Sequence, residues 1–201
     1  MAGTMPHAIF IETGLDGDGG VAAYAAELPG CAVFGTDADE VAGAMPVRVS
    51  RFTAWLREHG EACPSFVGDN WYEVERAPST DGRRAAFTLD DLPPSDDEYA
   101  AWLRWLELAR EELADGLDRG DPARAADLLD GIERQDVAFV RDLGGAAPEL
   151  STDPIDRLYA ARDALTDALE AAGPAGDGVR RVLRLAIADD LRAAEALRHP
   201  A

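Results

Sequence analysis

The chain has 201 residues, of which 47% are hydrophobic, so it is long enough to bury one large core or two small ones. Its formal charge of −20 comes from 39 acidic residues against 19 basic ones, and every basic residue is an arginine. A chain this acidic lacks the cationic surface that phosphate backbones and anionic lipids attract, so we expect it to bind neither nucleic acid nor membranes.

The sequence also limits the compartment and the redox chemistry. No stretch approaches the roughly 18 apolar residues of a membrane span, and the first residues lack the pattern of a secretory signal. Cys31 and Cys63 are too few and too far apart for a disulfide framework or a CxxC site. We therefore expect a cytoplasmic protein with two free thiols.

The first part of the chain alternates in the way that strands do. Residues 8–12 and 21–27 flank the glycine-rich run 14–20, which predicts a β-hairpin. Leu28-Pro29-Gly30 interrupts the pairing, because proline lacks a backbone donor and glycine permits a bulge. Residues 31–35 are then predicted as a third strand.

A helix is predicted after the third strand, with Thr36 or Asp37 as its N-cap. Apolar residues recur at helical spacing and predict one buried face: Val41, Met45, Val49, Phe52, Trp55 and Leu56. Pro46 lies inside this pattern and is expected to kink the helix or to separate two helical segments. Residues 71–75 alternate again and predict a fourth strand.

The segment Glu27-Leu28-Pro29-Gly30-Cys31, followed by a glycine and an acidic helix start, resembles the HicB-like antitoxin domain. The resemblance covers residues 5–78 and implies a non-catalytic module with a β-β-β-α-β layer, which in toxin–antitoxin pairs contacts a small toxin. It also implies a homodimer formed mainly by residues 1–78. No basic recognition helix or strand follows residue 78, so regulation of an operon is not expected.

Residues 79–95 are rich in proline and small polar residues and are predicted to be a linker. Beyond them the apolar period becomes helical, and four amphipathic helices predict an antiparallel four-helix bundle over residues 96–201. Capping residues, glycines and prolines mark the helix boundaries at Ser95 with Glu98, Gly144 with Gly145, Asp153 with Pro154, and Gly173 with Pro174.

Residues 127–144 and 180–197 resemble the DinB-like superfamily, which includes metal- and thiol-dependent transferases. In its metal-binding members one histidine of the second helix and two of the fourth hold a divalent cation. The corresponding positions in this chain are Gly131, Asp189 and Ala193. Only Asp189 carries a ligating group, so it is a weak metal candidate, and the resemblance implies no metal and no cofactor.

The remaining candidate residues are few. The histidines His7, His59 and His199 are predicted to lie too far apart to complete a metal site. Asp136 and Arg162 fall on apolar faces of their predicted helices and are expected to form a buried pair. That pair is either a structural ion pair or a polar spot in a ligand pocket.

The sequence thus predicts an α+β protein with two domains, residues 1–78 and 96–201. Its expected function is non-catalytic binding of a protein partner or a small molecule, with Asp136, Arg162 and Asp189 as polar pocket residues and no catalytic residue. One alternative is a metal- or thiol-dependent small-molecule transferase that uses the bundle cavity. A second alternative is the antitoxin of a toxin–antitoxin pair.

Overall fold

A computed structural model describes residues 7–15, 17, 19–63, 71–80, 83–119, 122–149 and 152–198. The fold is α+β, as the sequence predicts: a mixed four-stranded sheet near the N-terminus is followed by helices. The chain divides into two compact units, with the boundary between Asp90 and Asp91.

The first unit contains a four-stranded sheet and one long helix. In chain order its elements are β1 (His7–Leu15), β2 (Gly20–Ala25), β3 (Ala32–Gly35), α1 (Ala38–Glu58) and β4 (Trp71–Pro78). The strand order is β3-β2-β1-β4; β2 is antiparallel to both β1 and β3, and β4 is parallel to β1. The predicted hairpin is therefore present as β1 and β2.

Both faces of the sheet are covered. Phe10 pairs with Tyr24 across β1 and β2, so these rings share one face, and Phe87 stacks on Phe10 with ring centroids 4.8 Å apart. Ile9 and Ile11 alternate to the opposite face and are buried there, where the apolar side of α1 packs on the sheet.

Part of the interval predicted as a linker lies within the first unit. Of residues 79–95, those up to Asp90 belong to this unit, and Ala85 and Phe87 are buried in it. Their apolar side chains cover the sheet face that α1 leaves open, which explains why a segment without regular strand or helix spacing is ordered here.

Helix α1 begins at a side-chain cap and continues through its proline. Asp37 Oδ1 accepts hydrogen bonds of 2.9 Å from the backbone nitrogens of Asp39 and Glu40. Pro46 lies inside a single 21-residue helix, so the two separate segments that the sequence allowed are not observed. The interior proline costs about 3 kcal/mol, and burial of Val41, Met45, Val49, Phe52 and Leu56 offsets that cost.

The second unit is helical. Its helices are α2 (Asp96–Arg119), α3 (Pro122–Asp142), α4 (Pro154–Ala172) and α5 (Val179–Arg198). Helix α2 packs along α5, and α3 packs along α4 and also contacts α5. Apolar residues from all four helices form one buried cluster that includes Leu113, Ile132, Leu158 and Ala194.

The helix ends of this unit carry the predicted capping residues. Ser95 and Glu98 exchange reciprocal hydrogen bonds, because the Ser95 nitrogen donates to Glu98 Oε2 at 2.8 Å and the Glu98 nitrogen donates to Ser95 Oγ at 3.3 Å. Asp153 Oδ1 caps α4 through the nitrogens of Ile155 and Asp156. Gly173 ends α4 with a φ of 61°, a conformation that favours glycine.

Candidate ligand site: a buried charged layer

One charged residue from each helix of the second unit contributes to a group in its interior: Arg110 from α2, Asp136 from α3, Arg162 from α4 and Asp190 from α5. We refer to these four residues as the charged layer. Asp136, Arg162 and Asp190 are each less than a tenth exposed. Burying charges is costly unless they are paired, so the layer is the clearest departure from an apolar core in this unit.

Helical spacing places the charged layer on the buried faces of the helices. Arg110 lies between the buried Leu106 and Leu113, one turn from each, and Asp190 follows Ile187 by three residues. The sequence analysis did not single out Arg110 or Asp190. The interruption of an apolar spacing, which identified Asp136, is the signal that could have found them.

The two carboxylates of the layer differ in their hydrogen bonding. Arg162 Nη2 donates to Asp190 Oδ1 at 2.6 Å, which is a charge-assisted hydrogen bond. Arg162 Nε lies 3.8 Å from Asp136 Oδ2, which is close enough for an ion pair but too long for a hydrogen bond. The structure thus brings Asp136 and Arg162 together, while the stronger bond of Arg162 is to Asp190.

Arg110 is bonded only to uncharged oxygens. Its Nη1 donates to Thr166 Oγ1 at 2.8 Å, and its Nη2 donates to the backbone oxygen of Arg162 at 3.5 Å. Among the described residues, no carboxylate lies within ion-pair distance of this guanidinium. The arginine is therefore held in place by α4 without having its charge neutralised by a direct partner.

Three buried polar atoms of the layer have no hydrogen-bond partner in the described part of the chain: Asp136 Oδ2, Arg162 Nε and Arg110 Nε. Each such atom costs about 1–3 kcal/mol when it is left unsatisfied. An oxygen atom about 2.8 Å from both Asp136 Oδ2 and Arg162 Nε satisfies the two at once, because they are 3.8 Å apart. The layer therefore presents a hydrogen-bonding pattern that a small polar molecule can complete.

Burial shifts the protonation of the layer. Burial, together with the charges of Asp190 and Asp189, raises the pKa of Asp136 to about 7, although Arg162 and Arg110 oppose the shift. Burial also raises the pKa of Asp190 to about 6, and Arg162 opposes that shift. The arginines stay charged near neutral pH, so a proton on Asp136 leaves the layer with one surplus positive charge.

The three positions that the sequence resemblance compares with metal ligands, Gly131, Asp189 and Ala193, have different surroundings. Ala193 lies in the apolar cluster, and a Cβ built on Gly131 meets nothing within 4 Å. Asp189 is partly buried, and its charge acts on Asp136 and Asp190. Among the residues that the structure describes, no group of three or more His, Cys, Asp or Glu side chains is placed to hold a metal ion.

The histidines belong to other parts of the molecule. His7 is in β1 and His59 follows α1, so both lie in the first unit. His199 lies outside the described residues.

A second buried polar group lies in the first unit, centred on Glu12. Its carboxylate accepts hydrogen bonds from Tyr24 Oη at 2.7 Å, Ser79 Oγ at 2.7 Å and the Ala85 nitrogen at 2.6 Å. Arg84 Nε also donates to it, at 3.1 Å. Because the carboxylate has four donors, this group is a structural clamp for Ser79, Arg84 and Ala85 rather than a ligand site.

Burial alone would raise the pKa of Glu12, but the charge and hydrogen bonds of Arg84, together with Tyr24 and Ala85, hold it below its ordinary value. Glu12 is therefore ionised at neutral pH and pairs with Arg84 in the folded protein. This contrasts with Asp136, whose pKa rises because its burial and the charge of Asp190 outweigh the effects of Arg162 and Arg110, and whose Oδ2 accepts no hydrogen bond.

Comparison with known proteins adds no information about the candidate site beyond its geometry. No protein-family model, no curated protein and no solved structure matches this chain. None of the described helices combines the length and the low polarity that crossing a membrane demands.

Proposed function

We propose that this chain is a non-catalytic binding protein, with a HicB-like module over residues 1–78 joined to a DinB-like four-helix bundle over residues 96–201. The bundle binds a small polar molecule at the charged layer. The observation that carries this proposal is the presence, in one charged layer, of three buried polar atoms that make no hydrogen bond and come from three different helices. Native proteins rarely leave such atoms unsatisfied, and each one calls for a partner.

The competing proposal is a transferase that works at the same charged layer. A carboxyl with a pKa of about 7, such as Asp136, is suited to general acid–base catalysis, and this observation favours an enzyme. A metal-dependent form is less compatible with the layer, because the guanidinium groups of Arg110 and Arg162 oppose a cation beside the carboxylates. Binding without catalysis needs only the hydrogen bonds that the layer offers.

The proposed partner of the first unit is a second copy of the chain. Strand β4 lies at one edge of the described sheet and exposes Tyr72 and Val74, and unpaired edge strands favour association. The overall acidity supports the expectation that neither nucleic acid nor membranes are ligands, and the absence of a disulfide framework supports a cytoplasmic location.

The binding proposal is tested by thermal unfolding of the full chain with three small probes of different charge: acetate, acetamide and methylammonium. A probe at about 100 times its Kd stabilises the folded state by about 2.7 kcal/mol and raises Tm by several degrees. We expect one of the probes to raise the Tm of the wild type and to have little effect on Arg110→Met. Arg119→Met, an exposed change on the same helix, should respond like the wild type.

Zinc is the matched probe for the transferase alternative, and we expect it to leave Tm unchanged. A zinc-dependent rise that disappears in both Asp136→Asn and Asp189→Ala would favour the enzyme instead. If none of the three organic probes raises the Tm of the wild type, or if Arg110→Met responds equally, the proposed binding site is wrong.

A further inference from the structure

Building on the proposed binding function, we propose that the charged layer takes up a small monocarboxylate together with one proton. Arg110 and Arg162 hold the carboxylate, and Asp136 holds the proton. Recognition is by charge and by hydrogen bonding within the layer.

The positive charge of Arg110 favours an anionic ligand. Its guanidinium donates to Thr166 Oγ1 and to a backbone oxygen, and its Nε has no partner. Arg162 Nη2 is already bonded to Asp190, but its Nε donates no hydrogen bond and lies 3.8 Å from Asp136 Oδ2. Two free N–H groups on two always-charged side chains form the donor pattern that a carboxylate oxygen accepts.

Binding of a carboxylate at the charged layer depends on whether Asp136 is protonated. Asp136 of α3 is near the charges of Asp190 and Asp189 on α5, Arg162 on α4 and Arg110 on α2. An ionised Asp136 would repel a bound carboxylate, whereas a protonated Asp136 can donate its O–H to that ligand. Carboxylate and proton therefore bind cooperatively, and the ligand raises the pKa of Asp136 further.

The other ligand charges fit less well. A cation would lie beside two arginines, and a neutral amide would leave the surplus positive charge of the protonated layer unpaired. A single negative charge neutralises that surplus. Because Arg162 Nε and Asp136 Oδ2 are only 3.8 Å apart, a single ligand oxygen beside them can contact both.

The residues next to the layer favour a short apolar substituent on the carboxylate. One turn away on each helix lie Leu113, Ile132, Leu158 and Ala194, which belong to the same buried apolar cluster. The end of a ligand away from its carboxylate can thus lie against aliphatic side chains. This arrangement suits acetate and its near homologues better than an inorganic anion.

Calorimetric titration of the full chain with sodium acetate tests the inference, at constant ionic strength set with sodium chloride. Since a group with a pKa near 7 must be protonated, the affinity of the wild type should fall about tenfold between about pH 6 and about pH 8. Titration in two buffers of different ionisation enthalpy should show about one proton taken up per acetate at the higher pH.

Two variants test the separate roles of Asp136 and Arg110 in the charged layer. Asp136→Asn keeps a hydrogen-bond donor that does not titrate, so its acetate affinity should change less than about twofold over the same pH range. Arg110→Met should weaken acetate binding by about tenfold or more, because it removes a charge-assisted donor. Arg119→Met, which removes an exposed arginine of α2, should bind acetate like the wild type.

The possible outcomes separate failure of the carboxylate inference from failure of the proposed binding function. A wild-type affinity that does not change with pH, or a variant Asp136→Asn with the same tenfold loss, overturns the inference. If acetamide or methylammonium binds in place of acetate, the inference fails while the binding function stands. If no probe binds, both fail.

Discussion

Glu12 is a buried carboxylate of the first unit that accepts hydrogen bonds from four residues. Glu12→Gln removes the negative charge that pairs with the largely buried Arg84 guanidinium. We expect a loss of about 3–5 kcal/mol in the free energy of unfolding, measured by urea denaturation near neutral pH. The matched control is Glu73→Gln, because the Glu73–Arg76 pair is exposed and such pairs contribute at most about 1 kcal/mol.

The effect of Glu12 should also depend on pH with a definite sign. Its pKa is lower in the folded protein than the ordinary value of 4.5, so the unfolded chain binds its proton more readily. Its contribution is therefore complete above that value and is lost as the pH falls through the folded pKa. The stability difference between wild type and Glu12→Gln should shrink on acidification, and a difference that stays constant would contradict the clamp.

The charged layer shows what a sequence reveals about single buried residues. Asp136 and Arg162 were predictable because each interrupts an apolar spacing, and the structure places them 3.8 Å apart. Asp189 and Asp190 are adjacent, so only the rotation of α5 about its axis decides which of them points inward, and that rotation depends on tertiary packing. Arg110 was missed because a long arginine stem is compatible with both a buried and an exposed position.

The elements were predicted well where local chemistry determines them. The caps at Asp37, Ser95 and Asp153 follow from short-range hydrogen bonds, and all three are present. Ala85 and Phe87 lie in a segment with no periodic pattern, and only the open face of the sheet explains their burial. Sequence patterns therefore predict the helices and strands better than the irregular segments that pack on them.

Strand β4 lies at one edge of the described sheet. If two copies associate through its free edge, the full chain should behave as a dimer in light scattering. Val74 lies at a bulge between the pairs Ile9–Glu73 and Phe10–Glu75 and is half exposed. Val74→Lys places a charge on the edge and should give a monomer.

The control for this prediction is Val47→Lys, which changes an exposed valine of α1 and should leave the dimer intact. A wild type that is strictly monomeric would refute association through residues 1–78. A Val74→Lys variant that remains dimeric would place the interface elsewhere.

The molecule as a whole is dominated by its net charge of −20. Affinity for a duplex depends on how many phosphates the cationic side chains neutralise, and the binding constant falls steeply with salt. Several of the 19 arginines are engaged within the protein, among them Arg84 with Glu12, Arg157 with Glu133 and Arg162 with Asp190.

We therefore expect no retention of labelled duplex DNA or RNA by the full chain in fluorescence anisotropy at about 150 mM salt, where phosphate contacts are already weakened. Lowering the salt should not produce saturable binding, because the repulsion between an acidic surface and the phosphates then becomes stronger. A basic DNA-binding protein measured under the same conditions provides the positive control. Micromolar or tighter binding by this chain would show that its arginines form a local cationic surface in spite of the net charge, and would reopen the antitoxin alternative.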